Sequence, residues 1–199
     1  MRRIIAFDHV SADGYFADKD GNLNWVVPED ALNDHAIENM AHADTILFGR
    51  RTYEMFESYW PKAVADPKGV EDPHGAGRRT PALQKVAEWI NDANKIVFSS
   101  TRKEVTWRNS RIEARLSAGD IETLKRAPGR DMLVFGSGTL TAALAQHGLI
   151  DEYQFAVAPV LLGQGRNLIS GVRRTSKMAL AESRALPQGN LLLRYVLAQ

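Results

Sequence analysis

Short apolar runs alternate with amphipathic stretches over the first three quarters of this chain, after which only strand-like runs remain. Residues 3–9 read as a first strand, and residues 45–48, 95–99, 111–115, 132–135 and 153–158 as further short strands. Between them, helical spacing recurs. Pro28 suits the first turn of a helix whose apolar side is Leu32, Ala36, Met40 and Ala43. Tyr53, Phe56 and Trp60 form the buried side of a second helix, and Leu83, Val86 and Ala87 that of a short third over residues 82–90. Ser117 caps a fourth, with Leu116 and Ile121 placed as a hydrophobic staple, and it must stop before Pro128-Gly129. Residues 177–183 and 191–197 close the chain as strands around a Pro187–Gly189 turn. Strand–helix alternation followed by strands predicts an α/β fold: a mostly parallel central sheet, an antiparallel C-terminal edge, and helices on both faces.

Two strand–glycine–helix units stand out. In the first, the strand at residues 45–48 runs into Gly49-Arg50-Arg51-Thr52-Tyr53-Glu54. In the second, residues 132–135 run into Gly136-Ser137-Gly138-Thr139-Leu140, with Ala143 and Leu144 continuing the helix and Gly148 at its C-cap position. Glycines after a strand let an anion approach the backbone, and the free N–H groups of the following helix point at it. Two solvated arginines are the commoner arrangement, but at a helix start, where the dipole disfavours cations, the pair argues for a bound anion. The dinucleotide fingerprint G-x-G-x-x-G fails at Thr141, and the nucleophile elbow G-x-S-x-G fails at Phe135. Ser99-Ser100-Thr101-Arg102, at the end of another strand, offers hydroxyls and a cation to a phosphate or ribose, although a plain polar turn has the same composition.

Composition narrows the function classes. The 199 residues suit one domain, 44% apolar and 25% charged, and the formal net charge of +1 gives no general pull toward nucleic acid or an anionic membrane. No apolar run approaches the roughly 20 residues of a membrane span. Asp8 cuts short the apolar stretch behind the N-terminal arginines, so that stretch reads as a strand and not as a signal peptide. With no cysteine there is no disulfide, thiol chemistry or Cys-ligated zinc, which fits a cytoplasmic protein. The five histidines show no metal-ligand spacing, so no metal is expected. Residues 10–24 hold two Asp-containing glycine turns around Tyr15-Phe16-Ala17, a loop that crosses the mouth of a site. Residues 61–81, rich in proline and glycine, read as an exposed loop.

In their order along the chain, Gly49–Glu54, Val97-Phe98-Ser99-Ser100-Thr101 and Val134-Phe135-Gly136-Ser137-Gly138-Thr139-Leu140 resemble the signature of the dihydrofolate reductase-like superfamily. Ser11-Ala12-Asp13-Gly14-Tyr15 and the Pro159…Gly163-Gln164-Gly165 segment are closer to its RibD C-terminal branch, which includes the reductase of 5-amino-6-(5-phosphoribosylamino)uracil. The resemblance covers nearly all of residues 1–199 and implies the three-layer dihydrofolate reductase-like fold, a homodimer joined through the late strands, and NADPH as cofactor. Carried over residue by residue, Gly49, Arg50 and Thr52 would hold phosphates, Ser99, Ser100 and Arg102 would lie near the adenosine 2′-phosphate, and Gly136, Ser137, Gly138, Thr139 and Leu140 would hold the pyrophosphate. The superfamily usually has a cis Gly-Gly pair where this chain has Gly136-Ser137.

For protonation of the reduced substrate the resemblance offers Asp30, through a Trp25-x-x-Pro28-x-Asp30 spacing shared with true dihydrofolate reductases, and Asp13 as its rival. The structural alternatives are an acidic residue complementing a helix dipole and an Asx turn before Gly14. The leading expectation is an NADPH-dependent reductase of a small polar heterocycle or ribosylamino-pyrimidine. A true dihydrofolate reductase and a non-catalytic NADPH-binding module are the alternatives. The H-x-E and P-C-x-x-C pattern of the deaminase often fused to the riboflavin enzyme is absent.

Overall fold

A computed structural model describes residues 1–65 and 80–198. The elements in order are β1 (Ile4–Ser11), β2 (Tyr15–Asp18), α1 (Asp30–Ala41), β3 (Ala43–Gly49), α2 (Arg50–Ala65), α3 (Pro81–Asp92), β4 (Asn94–Phe98) and β5 (Ser110–Glu113). They continue with α4 (Ala118–Arg126), β6 (Asp131–Phe135), α5 (Gly138–Gln146), β7 (Glu152–Ala158), β8 (Gly165–Asn167), β9 (Met178–Ala185) and β10 (Leu191–Leu197). Eight strands form one sheet in the order β5-β4-β3-β6-β1-β7-β10-β9. All neighbours through β7 are parallel, and β10 runs antiparallel to both β7 and β9. The expected parallel sheet with an antiparallel edge is therefore present.

The alternation of side chains along each strand divides the core into two layers. Ile5, Ile46, Phe48 and Leu133 face a cluster with Met40 of α1, the aromatic side of α2, and Val86 and Ile90 of α3. Ile4, Ala6, Leu47 and Val134 face Ile121 of α4 and Leu140 and Leu144 of α5. The inner strands β1, β3, β4 and β6 thus bury both faces, which is why these runs are nearly continuous in apolar residues. Three of the helix starts follow the expected chemistry. Ser117 accepts from the Asp120 amide at 3.4 Å, Thr80 accepts from the Leu83 amide at 3.2 Å with Pro81 following it, and Asp30 stands in the first turn of α1.

Two readings need correction. Residues 61–65 belong to α2, which continues through Pro61. Burial of Tyr59, Trp60 and Ala63 outweighs the one helical bond that proline removes, and Asn91 of α3 donates to the Trp60 carbonyl at 2.9 Å. At the other end of that expected loop, Thr80 and Pro81 cap and begin α3, and residues 66–79 between lie outside the described residues. The second correction is a small added sheet. Tyr15–Asp18 and Gly165–Asn167 pair antiparallel as β2 and β8, inside segments that read as plain loops.

Candidate active site

Parallel strands place their carboxyl ends together, and the turns that follow them build the site. Gly49 ends β3 and Gly136 follows β6, two strands that lie side by side in the sheet. The two corners touch directly: the Gly49 amide donates to the Ser137 hydroxyl at 3.0 Å. A Cβ at residue 49 would collide with that same oxygen, so glycine there leaves the Ser137 hydroxyl in place to accept this bond. Gly136 (φ 57°) and Ser137 (φ 69°) are both left-handed, and the peptide between them is trans. For serine this conformation costs roughly 1–2 kcal/mol, and the hydroxyl's bond to the neighbouring corner is what it accomplishes. Above Gly136 the space is open, with nothing within 4 Å of where a Cβ would stand.

The first amides of α2 and α5 have no carbonyl partner within their helices, and neither helix carries an acidic residue in its first turn. Both helix starts open on one cleft of about 1490 Å³, above the roughly 300–1,000 Å³ of a site for one small molecule. There is room for a dinucleotide and a second reactant. Gly49, Arg50, Thr52, Ser99, Ser100, Gly136, Ser137, Gly138, Thr139 and Leu140 all line this cleft, together with Arg51 and Thr101. The site residues read from the three motifs are thus brought together, with one exception.

The exception is Arg102. It does not line the cleft; its guanidinium donates to Glu57 at 2.6 Å and lies 4.8 Å from the Tyr53 ring centre. Only its amide reaches the motif, donating to the Ser99 hydroxyl at 2.9 Å. Arg50 is exposed and shares Glu54 at 3.1 Å, a pairing a phosphate could readily displace.

The acidic candidates separate clearly. Asp30 is exposed at the start of α1 and lines the cleft. Asp13 does not line it. Its carboxylate receives the Ser11 hydroxyl at 2.6 Å and the Leu162 and Gly163 amides at 3.1 and 2.7 Å, pinning the 159–165 loop to the end of β1. The Ser11 hydroxyl first, and then those amides, hold Asp13 below the usual carboxylate range. Beside Asp30, Glu29 is buried: its carboxylate accepts from the Gln188 amide and the Asn190 side chain, each at 2.9 Å. This ties the start of α1 to the turn between β9 and β10.

Asp8 was missed as a site residue. It lines the cleft, is 1% exposed, and has no hydrogen-bond partner for either carboxylate oxygen among the described residues. Burial raises its pKa well above 3.8. Two positions beyond Ala6, it shares the α5 face of the sheet. Its signal was an acid inside a strand otherwise fit for burial. Over the cleft lies the β2–β8 ribbon, where the Phe16 ring packs on Gly138 so closely that a Cβ there would stand 2.6 Å from it. Phe16, Ala17, Gly21 and Leu23 of the segment expected to cross a mouth line the cleft.

An open, mostly parallel α/β sheet with an antiparallel edge and glycine corners at its strand ends defines a dihydrofolate reductase-like fold. The chain belongs to the RibD C-terminal domain family, whose model matches residues 2–192. It is 26% identical over 197 residues to the uncharacterised protein YyaP of Bacillus subtilis (strain 168), covering 98% of this chain and 95% of that one. It is 27% identical over 159 residues to the riboflavin biosynthesis protein RibD of Corynebacterium ammoniagenes, covering 79% of this chain and 43% of that protein. Among solved structures, a putative riboflavin biosynthesis protein from Shewanella sp. PV-4 superposes with a TM-score of 0.73 at 22% identity over 99% of both chains. The dihydrofolate reductase of Enterococcus faecalis shares the fold with a TM-score of 0.60 at 13% identity, covering 99% of this chain and 97% of that one.

Proposed function

We propose that this protein is an NADPH-dependent reductase of the RibD type, acting on a small heterocyclic substrate. The observation that carries the reading is the pair of linked β-to-α corners, Gly49–Thr52 and Gly136–Thr139, which open on one cleft, each at the start of a helix with no first-turn acid. That chemistry fits a pyrophosphate flanked by sugar hydroxyls. The α5 amides and the open face of Gly136 would hold the pyrophosphate, while Arg50, Arg51, Thr52 and the Ser99–Thr101 hydroxyls would take the remaining phosphate and ribose. A 2′-phosphate in reach of Arg50 and Arg51 favours NADPH over NADH.

When bound, the reduced nicotinamide supplies a hydride to an electrophilic carbon, and the adjoining nitrogen gains a proton. Asp30, exposed at the cleft wall, is the group assigned to hold and orient that end of the substrate. Asp13 is assigned to keep the 159–165 loop in place, because its carboxylate is already engaged by the loop's amides. A true dihydrofolate reductase is not favoured, since the likeness there is of fold alone. A module that binds NADPH without turnover is distinguished by assay. A panel containing dihydrofolate, the ribosylaminouracil phosphate and simpler aminopyrimidines, followed by NADPH absorbance, tests the reading. Oxidation accelerated by at least one of them supports it, and NADPH binding without any turnover refutes it.

The proposed assembly is a homodimer through the late strands. In support, β9 is an edge strand, and Met178 (41% exposed) and Leu180 (55%) on it, with Leu191 (37%) on β10, leave apolar surface at that edge.

A further inference from the structure

Asp8 belongs by position to the dinucleotide half of the cleft. Along β1, Ile5 and Phe7 face the side of the sheet on which α1, α2 and α3 pack, whereas Ile4, Ala6 and, by alternation, Asp8 face the α5 side. Phe7 is the register partner of Phe135, and its carbonyl accepts from the Gly136 amide at 3.2 Å. The next residue on each chain segment places Asp8 beside the glycine corner that opens α5, and both line the cleft. Little there welcomes a negative charge. The register partner of Asp8 on β7 is Phe155, residues 138–146 of α5 carry no ionisable group, and the Thr141 hydroxyl is spent on the Gly136 carbonyl at 3.1 Å. Of the titratable groups around it, Tyr153 of β7 is itself raised by burial and senses both Arg174 and Asp8. The β2–β8 ribbon carries Tyr15, Asp18 and Arg166, and His9 lies on the opposite face of β1.

An ionised carboxylate at this place would lose its water and oppose the positive end of α5. A neutral carboxylic acid avoids both costs and becomes a donor, and among the described residues no protein group accepts from it. Resting on the reductase reading above, we infer that Asp8 serves the dinucleotide half of the cleft as a neutral acid, donating its O–H to the anionic ligand held at the α5 corner, so that this ligand is bound together with one proton. The α5 amides and the Asp8 hydroxyl then favour the same charge. Loss of the proton reverses the contribution of Asp8, because a carboxylate beside a pyrophosphate is a like-charge pair. Burial already holds the acid well above 3.8, and a bound anion raises it further. Affinity therefore falls as pH rises through the acid's folded value, by at most about tenfold per pH unit, the limit for one proton.

The test titrates the full chain calorimetrically with NADPH and, separately, with ADP from pH 5.5 to 9. Each variant is compared with wild type at the same pH, which cancels the titration of the ligands and of His9 and Tyr153. Asp8→Asn keeps a donor and cannot ionise, so it should match wild type within about threefold at pH 5.5 and bind more than about tenfold tighter at pH 9. Asp8→Leu cannot ionise either but lacks the donor, and it should bind more weakly than Asp8→Asn at every pH. At pH 8, in two buffers of different ionisation heat, wild type should take up more protons on binding than either variant. An Asn variant that follows wild type throughout, or is weaker by one factor at every pH, overturns the inference, as does a Leu variant equal to Asn. ADP keeps the two readings apart. The alkaline gain of Asp8→Asn seen with ADP, without NADPH binding, upholds this inference and defeats the reductase. NADPH bound without that gain defeats this inference alone, and neither ligand bound at any pH defeats both.

Discussion

Ser137 combines a strained backbone with a hydrogen bond, and two substitutions separate these effects. Ser137→Ala keeps the left-handed conformation and removes the oxygen that accepts from the Gly49 amide at 3.0 Å. The stranded donor lies beside a wet cleft, so the loss should sit at the low end of the roughly 1–3 kcal/mol expected for an unsatisfied group. For a chain of this length each kcal/mol moves the melting temperature by about 2–4 °C. Ser137→Gly loses the same bond but relieves roughly 1–2 kcal/mol of left-handed strain, offset by about 0.5–1 kcal/mol of extra chain entropy. The glycine variant should therefore be the more stable of the two, by about 0.5–1 kcal/mol, the reverse of the usual order of alanine and glycine. Urea and thermal unfolding of wild type and both variants measure this. An alanine variant at least as stable as the glycine variant would refute the strained corner. In both variants NADPH affinity should fall, because the two corners are no longer tied.

Four further outcomes are expected. Arg50→Ala should weaken NADPH by roughly tenfold or more if the side chain meets the extra phosphate, and NADH much less; equal losses in isothermal titration would remove it from that role. Burial keeps Asp8 protonated in the folded chain above pH 3.8, where the unfolded chain has released its proton, so stability declines as pH rises from there. Asp8→Asn should abolish that decline, at most about 1.4 kcal/mol per pH unit, and parallel unfolding curves from pH 4 to 7 would contradict it. Lys95, wholly buried with its ammonium donating to the carbonyls of Asn91, Ala93 and Arg108, is lowered to about 8 by burial first and by the nearby Arg108 charge second. Between that value and 10.5 the unfolded chain holds more protons, so wild-type stability should gain up to roughly 3 kcal/mol with rising pH relative to Lys95→Met. Leu180→Asp on the exposed edge should halve the particle mass in sedimentation, and an unchanged mass would dismiss the dimer.

The parts of the fold legible in the sequence were those set by local physics. The run at residues 132–135, the glycines behind it and the 3.6-residue spacing of Leu140 and Leu144 specify β6, a tight turn and α5 without help from elsewhere. Ser117 likewise announces its helix. Properties created by distant partners stayed hidden. Whether Arg102 faces a phosphate depends on Glu57, which α2 carries to it across the sheet. That the Asp13 carboxylate accepts from the amides of residues 162 and 163 depends on a segment far along the chain, and its local sequence gives no sign of it. The β2–β8 ribbon escaped because its strands are short, and their pairing joins segments far apart in the chain. Asp8 was visible as an acid in an apolar strand, yet only burial on both faces of β1 makes it unusual.

The carboxylate of Glu29 reaches across from the first turn of α1 to the hairpin at residues 187–190. The wall that screens incoming molecules is thus bolted to the outermost strands of the sheet. Whatever grips those strands would also brace that wall of the cleft, so access to the cleft and assembly would be adjusted by one lever.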